Sequence, residues 1–110
     1  MSLSSHVLDG GRGTPAVGVS VTWERQVAGQ WTDVAQADTD ADGRVGEWSD
    51  VPTAEGTHRL VFGTGDYFAG QGVATFYPEV VVVFEVTDPE QHHHVPLLLS
   101  PFAYSTYRGS

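Results

Sequence analysis

The sequence contains no cysteine and no lysine among its 110 residues. Without cysteine, the chain has no disulfide framework, no thiol nucleophile and no thiolate ligand for a metal. Without lysine, it cannot form a Schiff base or supply the lysine of a phosphate-binding loop. These absences exclude several large classes of enzyme and of metal-binding domain before any motif is considered.

Basic residues are also scarce, since five arginines stand against 14 acidic residues and the formal net charge is −9. Such a charge repels a phosphate backbone, so we expect no nucleic-acid partner. No apolar run approaches the roughly 18 residues of a membrane-spanning helix. The start, MSLSSHVLDG, lacks the basic segment and apolar core of a secretory signal. We therefore expect a cytoplasmic protein without a membrane partner, and one domain over residues 1–110.

Glycine and proline punctuate the whole chain, and valine is its commonest large residue. This composition is typical of short strands joined by tight turns. Alternation of apolar and polar residues predicts strands at 5–9, 17–27, 31–39, 57–63, 79–87, 92–100 and 102–108. The segment 63–72 lacks alternation and predicts a short helix that starts near Asp66. About seven or eight short strands with regular turn signals indicate an all-β, antiparallel β-sandwich.

Two of these strands carry predictions about burial. In 17–27, one face carries Val17, Val19, Val21 and Trp23, and the other carries Ser20, Thr22 and Glu24. We expect the apolar face to point into the core. The strand 79–87 is apolar enough to lie in the interior of the sandwich.

The segment 38–49 begins like a calcium-binding loop. Its alternating acidic residues are Asp38, Asp40 and Asp42. A calcium loop closes with a glutamate at its twelfth position, and that position holds Ser49. The flanking segments also predict strands rather than helices. We therefore predict a hairpin turn in which Gly43 supplies a positive φ, which leaves Arg44 without a structural reason.

Three histidines stand together at 92–94. On a strand, His92 and His94 point to one side and His93 to the other. Two histidines on one face can bind zinc if a third protein ligand joins them. His6 or His58 could be that ligand, although no spacing demands it. We predict that the chain needs no metal.

The strand 92–100 has one apolar face, suited to a core, and a second face that is only partly polar. The second face carries His92, His94, Pro96 and Leu98. A face that turns apolar halfway along a strand must be covered, and a second copy of the same sheet is the natural cover. His6 shares a face with Leu8, and Tyr107 shares a face with Ser105. If these strands are neighbours, His6, His94 and Tyr107 converge at that interface.

Several segments together resemble a known family. They are HVLD, GTPAVGVSV, TDADGR, TGDYFAGQGVATFYPEVVVVFEV and HHHVPLLLSPFAYSTYRGS. The sequence resembles the transthyretin-related 5-hydroxyisourate hydrolases of purine catabolism over nearly its whole length. The terminal YRGS is the part that resembles the hydrolases rather than the hormone-carrying transthyretins.

The resemblance implies a prealbumin-like sandwich of two four-stranded sheets with one short helix, in a single transthyretin-like domain. It implies a homotetramer whose pockets lie at the interface between two dimers, and it implies no cofactor. The family's catalytic residues fall on His6, Arg44, His94 and Tyr107. The substrate-binding residues fall on His6, Arg44, Tyr107 and Ser110. The family usually has an aromatic residue at the position of His93, and we expect no effect on the chemistry because that side chain points away.

The implied reaction is the hydrolysis of 5-hydroxyisourate to 2-oxo-4-hydroxy-4-carboxy-5-ureidoimidazoline in urate degradation. Either His6 or His94 is the base, because neutral imidazole suits proton transfer at neutral pH. Arg44 stabilises the charge on the carbonyl oxygen, Tyr107 holds the ring or relays a proton, and Ser110 brings the terminal carboxylate to the pocket wall. Two alternatives stay open, namely a non-catalytic transthyretin-like carrier of small molecules and a zinc-binding protein built on the histidine cluster.

Overall fold

The computed structural model describes residues 2–46, 48 and 50–110, so Ser49, at the twelfth position of the candidate calcium loop, lies outside the described residues. Alternating burial along the strands, clearest in the first and the eighth, matches the period of two in the sequence. The elements are β1 Ser2–Asp9, β2 Thr14–Pro15, β3 Ser20–Val27, β4 Gln30–Asp38, β5 Arg44–Val45, β6 Gly56–Phe62, α1 Thr64–Ala69, β7 Val80–Val86, β8 His92–Ser100 and β9 Ala103–Thr106.

Two sheets form the sandwich. One has the order β2-β1-β8-β9, with β5 also paired to β1, and the other has the order β4-β3-β6-β7. The prediction of a β-sandwich with one short helix is confirmed. Two details differ from the expectation. The two-residue strands β2 and β5 widen the first sheet, and β1 and β8 pair in parallel.

The parallel pair follows from the topology. A parallel neighbour requires a long crossover connection, and the whole second sheet lies in the chain between β1 and β8. This pairing brings the two ends of the chain together, because Ser4 lies opposite His94 and His6 opposite Pro96. Candidate site residues from both ends therefore meet on one sheet.

The core lies between the inner faces of the two sheets. The largest fully buried side chains include Trp23, Trp48, Phe62 and Phe68, and the rings of the two tryptophans lie 5.5 Å apart between centroids. Removing such aromatic surface from water is the main stabilising term of a small sandwich. The inner face of β8 is buried as predicted, through Val95, Leu97 and Leu99.

Two predictions about burial are corrected. Val17 is 53% exposed, because Gly18 turns the chain at a φ of 80° and β3 begins only at Ser20. The interpretation of 79–87 as an interior strand is wrong, since β7 is an edge strand whose Val81 and Val83 are exposed. Their face of the sheet points away from the core, so a run of valines reflects β propensity there rather than burial on both sides.

The helix starts at Thr64, two residues before the predicted start at Asp66, and the last strand is confined to Ala103–Thr106. Within the part of the chain that the structure describes, no helix combines the length and the apolar character needed to cross a membrane.

Candidate active site

A tight turn before β5 positions Arg44. One carboxylate oxygen of Asp40 accepts hydrogen bonds from the backbone N–H groups of Asp42, at 2.9 Å, and Arg44, at 3.0 Å. These bonds, first that from Arg44, hold the pKa of Asp40 below its usual value. Gly43 has a φ of 74° and donates its N–H to the Asp40 carbonyl at 2.9 Å. The predicted turn is confirmed, with the Asp40 carboxylate accepting from the backbone and a positive φ at Gly43. It is not a hairpin, because β4 and β5 lie in different sheets.

The same turn packs directly against β1. The Val7 N–H donates to the Gly43 carbonyl at 2.7 Å, and a Cβ at position 43 would lie 2.4 Å from the Val7 carbonyl oxygen. Glycine is therefore required for the close approach as well as for the positive φ. The approach pairs Arg44 with His6 across β5 and β1. The turn alone gave no reason for an arginine at this position, and its place beside a histidine of the neighbouring strand supplies one.

The ring of His6 is oriented by the turn. Its Nε2 lies 2.9 Å from the Asp42 carbonyl oxygen. A carbonyl oxygen only accepts, so Nε2 carries the proton in neutral His6 and Nδ1 keeps its lone pair. His6 therefore presents an acceptor nitrogen beside the arginine.

His94 stands on the neighbouring strand β8 and is half-buried. Its pKa is lowered first by burial and then by the charges of His92, Arg44 and His6. Its Nδ1 lies 2.8 Å from the hydroxyl of Ser4. The lowered pKa keeps the imidazole neutral at neutral pH, which is the form a general base requires.

The C-terminal tail packs onto His94. Gly109 donates its N–H to the His94 carbonyl at 2.9 Å, and a Cβ at position 109 would lie 2.4 Å from the His94 ring. Tyr107 and Arg108 line a cavity of about 350 Å³ together with His94 and the edge strand β7. Tyr107 is 61% exposed.

The predicted residues are therefore brought together only in part. His6, Arg44 and His94 share one region, whereas the cavity beside Tyr107 is lined by neither His6 nor Arg44. Ser110 is exposed at the end of the tail. Strands β1, β8 and β9 are neighbours, as the convergence of His6, His94 and Tyr107 required, yet a single chain brings Tyr107 only to the His94 side.

The model of the HIUase/Transthyretin family matches residues 3–109 of this chain. The chain belongs to the HIUase/Transthyretin family. It is 45% identical over 109 residues to the 5-hydroxyisourate hydrolase of Salmonella typhimurium, covering 98% of this chain and 80% of that protein. It is 43% identical over 111 residues to the 5-hydroxyisourate hydrolase of Mus musculus, covering 98% and 94%.

Solved structures of both kinds of family member have the same fold. The structure of Klebsiella pneumoniae 5-hydroxyisourate hydrolase matches with a TM-score of 0.87 and 36% identity, covering 99% of this chain and 93% of that chain. Sea bream transthyretin in complex with thyroxine matches with a TM-score of 0.91 and 35% identity, covering 97% and 93%. The fold thus does not separate a 5-hydroxyisourate hydrolase from a transthyretin within the family, and the site must do so.

Ser4 and His92 are two polar residues beside His94 that the sequence alone did not assign to the site. The Ser4 hydroxyl lies 3.0 Å from Nε2 of His92 as well as 2.8 Å from Nδ1 of His94, and the two imidazole rings are nearly parallel. Alternation in β1 places Ser4 on the same face as His6, so the sequence held that signal. The parallel pairing that joins Ser4 to both histidines had no local signal.

His93, the residue where this family member departs from the aromatic pattern, points to the opposite side from His94, as predicted. It is 5% exposed, and its pKa is lowered first by burial and next by the charge of Arg108. Its Nδ1 is buried without a hydrogen-bond partner among the described residues. A backbone hydrogen bond with Gln91 acts in the opposite direction and raises that pKa, so the buried ring keeps one polar contact.

His58 is not available as a third zinc ligand. The Trp23 indole N–H donates to its Nδ1 at 3.0 Å, and its Nε2 donates to the Ala54 carbonyl at 2.7 Å. Both ring nitrogens are used inside the core, where His58 is 1% exposed. Across residues 2–46, 48 and 50–110, no cluster of three or more potential ligands is placed to bind a metal.

Proposed function

We propose that this chain hydrolyses 5-hydroxyisourate to 2-oxo-4-hydroxy-4-carboxy-5-ureidoimidazoline in urate degradation. The observation that carries the proposal is the placement of His6, Arg44 and His94 on adjacent strands of one sheet. Two imidazoles and a guanidinium form an acid–base site, which a simple carrier does not need. The naming of relatives as 5-hydroxyisourate hydrolases supports the same substrate.

His94 is the general base in this proposal. Its Nδ1 is held by Ser4, so Nε2 faces the substrate and takes a proton from the attacking water. The lowered pKa of His94 keeps Nε2 unprotonated at neutral pH. His94 then gives its Nε2 proton to the ring nitrogen as the C–N bond opens, and a carboxylate forms on the product.

Arg44 stabilises the negative charge on the carbonyl oxygen in the transition state. Its guanidinium offers a planar fork of N–H donors, which matches a carbonyl and its neighbouring oxygen. His6 orients the ring, because Nδ1 is free to accept from a substrate N–H or hydroxyl while Nε2 is tied to Asp42. These roles divide charge stabilisation and orientation between β5 and β1.

Tyr107 and Ser110 close the pocket wall. Tyr107 lines the cavity beside His94, and the bond between Gly109 and His94 fixes the tail that carries both residues. The aromatic ring of Tyr107 provides a flat surface for a flat substrate, and Ser110 extends this wall. The side chains on this wall are polar and exposed, so hydrogen bonds to the substrate must offset the cost of removing them from water.

A homotetramer with pockets between dimers is the assembly in this proposal. On the outer face of the first sheet, Leu98 is 41% accessible. Apolar side chains beside a catalytic face favour a cover made by a second copy of the same face. A cytoplasmic location and a single domain over residues 1–110 remain predictions from the sequence.

The test is the decay of freshly made 5-hydroxyisourate, followed by absorbance with and without the purified chain. We expect decay to accelerate in proportion to protein concentration. Arg44→Ala serves as the paired variant, because it removes the guanidinium from an exposed edge strand with little effect on the core. A chain that binds the compound without accelerating its decay would be a carrier, and the proposed function would be wrong.

A further inference from the structure

We propose that Ser4 and His92 form a proton relay that serves His94 during hydrolysis. This inference rests on the proposed function, since it assigns further residues to the same site. Ser4 and His92 act through His94, so neither residue has to contact the substrate.

The relay is a continuous line of hydrogen bonds on the outer face of β1 and β8. The Ser4 hydroxyl bridges Nδ1 of His94 at 2.8 Å and Nε2 of His92 at 3.0 Å. Nδ1 of His92 lies 2.5 Å from the hydroxyl of Ser2. The parallel register produces this line, because Ser4 pairs with His94 and Ser2 pairs with His92.

The direction of the bonds follows from the role of His94. If Nε2 is the base, neutral His94 carries its proton on Nδ1 and donates it to the Ser4 oxygen. The single hydroxyl proton of Ser4 is then directed to Nε2 of His92. His92 in turn carries its proton on Nδ1 and donates to Ser2. One set of tautomers thus satisfies every bond in the line.

Proton transfer through the line is balanced. Nε2 of His94 takes a proton from the attacking water, while the N–H bond at Nδ1 breaks and that proton passes to Ser4. The hydroxyl proton of Ser4 passes to Nε2 of His92, which becomes an imidazolium, and His94 stays neutral. The reverse movement restores the proton on Nδ1 as His94 gives its Nε2 proton to the leaving ring nitrogen.

The surroundings of the two histidines favour this transfer. His94 is half-buried, and the charges of Arg44 on β5 and His6 on β1 both disfavour a second positive charge on it. His92 is exposed, so water solvates an imidazolium there. The relay therefore moves the positive charge from half-buried His94 to His92, which is exposed in the single chain.

Substitutions at Ser4 test the bridge. Ser4→Ala is expected to lower kcat about tenfold or more, a share of the 10²–10⁴-fold that general acid–base catalysis contributes, with KM within about twofold. Ser4→Thr keeps a hydroxyl on the same face of the strand and is expected to recover most of kcat. Ser20→Ala is the matched control, because the Ser20 hydroxyl accepts from Gln36 on the other sheet.

His92→Gln tests the second half of the relay. A glutamine amide can accept from Ser4 but cannot take up its proton, so kcat is expected to fall as in Ser4→Ala. Measured in mixtures of H₂O and D₂O, the wild-type rate should depend on deuterium content with the curvature of several moving protons. Ser4→Ala should reduce that curve to a straight line.

A spectroscopic measurement tests the relay without turnover. In the wild-type chain with ¹⁵N-labelled histidine, NMR at neutral pH should show His94 and His92 with the proton on Nδ1. A proton on Nε2 of His94 would overturn the relay even if the chain is active. An unchanged kcat and deuterium dependence in Ser4→Ala would overturn it too. A wild-type chain that leaves 5-hydroxyisourate intact would instead contradict the proposed function, and the tautomers would still decide the bridge.

Discussion

Replacing Gly43 by alanine should damage stability and activity together, because one turn serves both. The new Cβ would stand 2.4 Å from the Val7 carbonyl oxygen, which is rigid backbone in the middle of β1. A left-handed φ, here 74°, costs alanine about 1–2 kcal/mol. Moving the turn to relieve the clash also weakens the Val7–Gly43 hydrogen bond, which contributes about 1 kcal/mol. We therefore expect a loss of about 2–3 kcal/mol in the free energy of unfolding.

The matched control is Gly29→Ala, in the turn between β3 and β4. Gly29 has a φ of 78°, and a Cβ there meets nothing within 4 Å. It shares the strain of the positive φ but lacks the clash, so its loss should stay near 1–2 kcal/mol. Urea unfolding gives both values.

Activity separates the two glycines more sharply. In Gly43→Ala the turn moves away from β1 and takes Arg44 away from His6, so kcat should fall by an order of magnitude or more. Gly29→Ala should keep the wild-type kcat. Equal unfolding free energies and equal kcat values in the two variants would refute the claim that the approach of the turn to β1 builds the site.

Four further outcomes are expected. Arg44→Lys should lower kcat about a hundredfold although the charge is kept, because one ammonium cannot replace the guanidinium fork; near-normal turnover would make Arg44 a generic charge. Deleting residues 107–110 should leave the fold intact and lower turnover about a hundredfold, and full activity would remove the tail from the site. Burial lowers the pKa of His58, so the histidine of the unfolded chain is protonated at a higher pH than that of the folded chain. The free energy of unfolding, measured with urea, should therefore be constant above pH ~6.5 and fall as the pH drops below that value. A flat profile would contradict this. His93→Phe should keep kcat and change the free energy of unfolding by no more than about 1 kcal/mol, and a larger loss would show that the polar contact of that ring stabilises the fold more strongly.

The sandwich could be predicted from the sequence because local patterns determine most of it. Alternation placed β8 at its observed bounds, and the glycine and aspartates at 38–43 predicted the turn before β5, although not that it joins the two sheets. The run of valines in β7 was misread, since periodicity cannot tell an edge strand with a solvent face from an interior one. The strand β5 is only two residues long and carries no period at all.

The site could be predicted only in part, for a related reason. The sequence showed three candidates of residue types suited to the chemistry, namely His6, Arg44 and His94. Their proximity depends on the parallel pair of β1 and β8, and no local pattern specifies which strand lies beside which. Ser4 became recognisable as a bridge only when that pairing placed it between two histidines 90 and 88 residues away in sequence.

The register of β8 explains how three consecutive histidines come to lie in different environments. A slip of one residue would exchange the two faces, placing His93 in the site and His92 and His94 in the core. The same slip would expose Val95, Leu97 and Leu99, which are now 7%, 0% and 1% exposed. Each loses about 1.5–3 kcal/mol when exposed, so the three together fix the register far more strongly than the histidines could. The apolar half of β8 therefore decides which histidines reach the solvent side. This register buries His93, whose Nδ1 has no hydrogen-bond partner among the described residues. It also places His92 and His94 on the opposite face, where both contact the Ser4 hydroxyl and can exchange a proton through it.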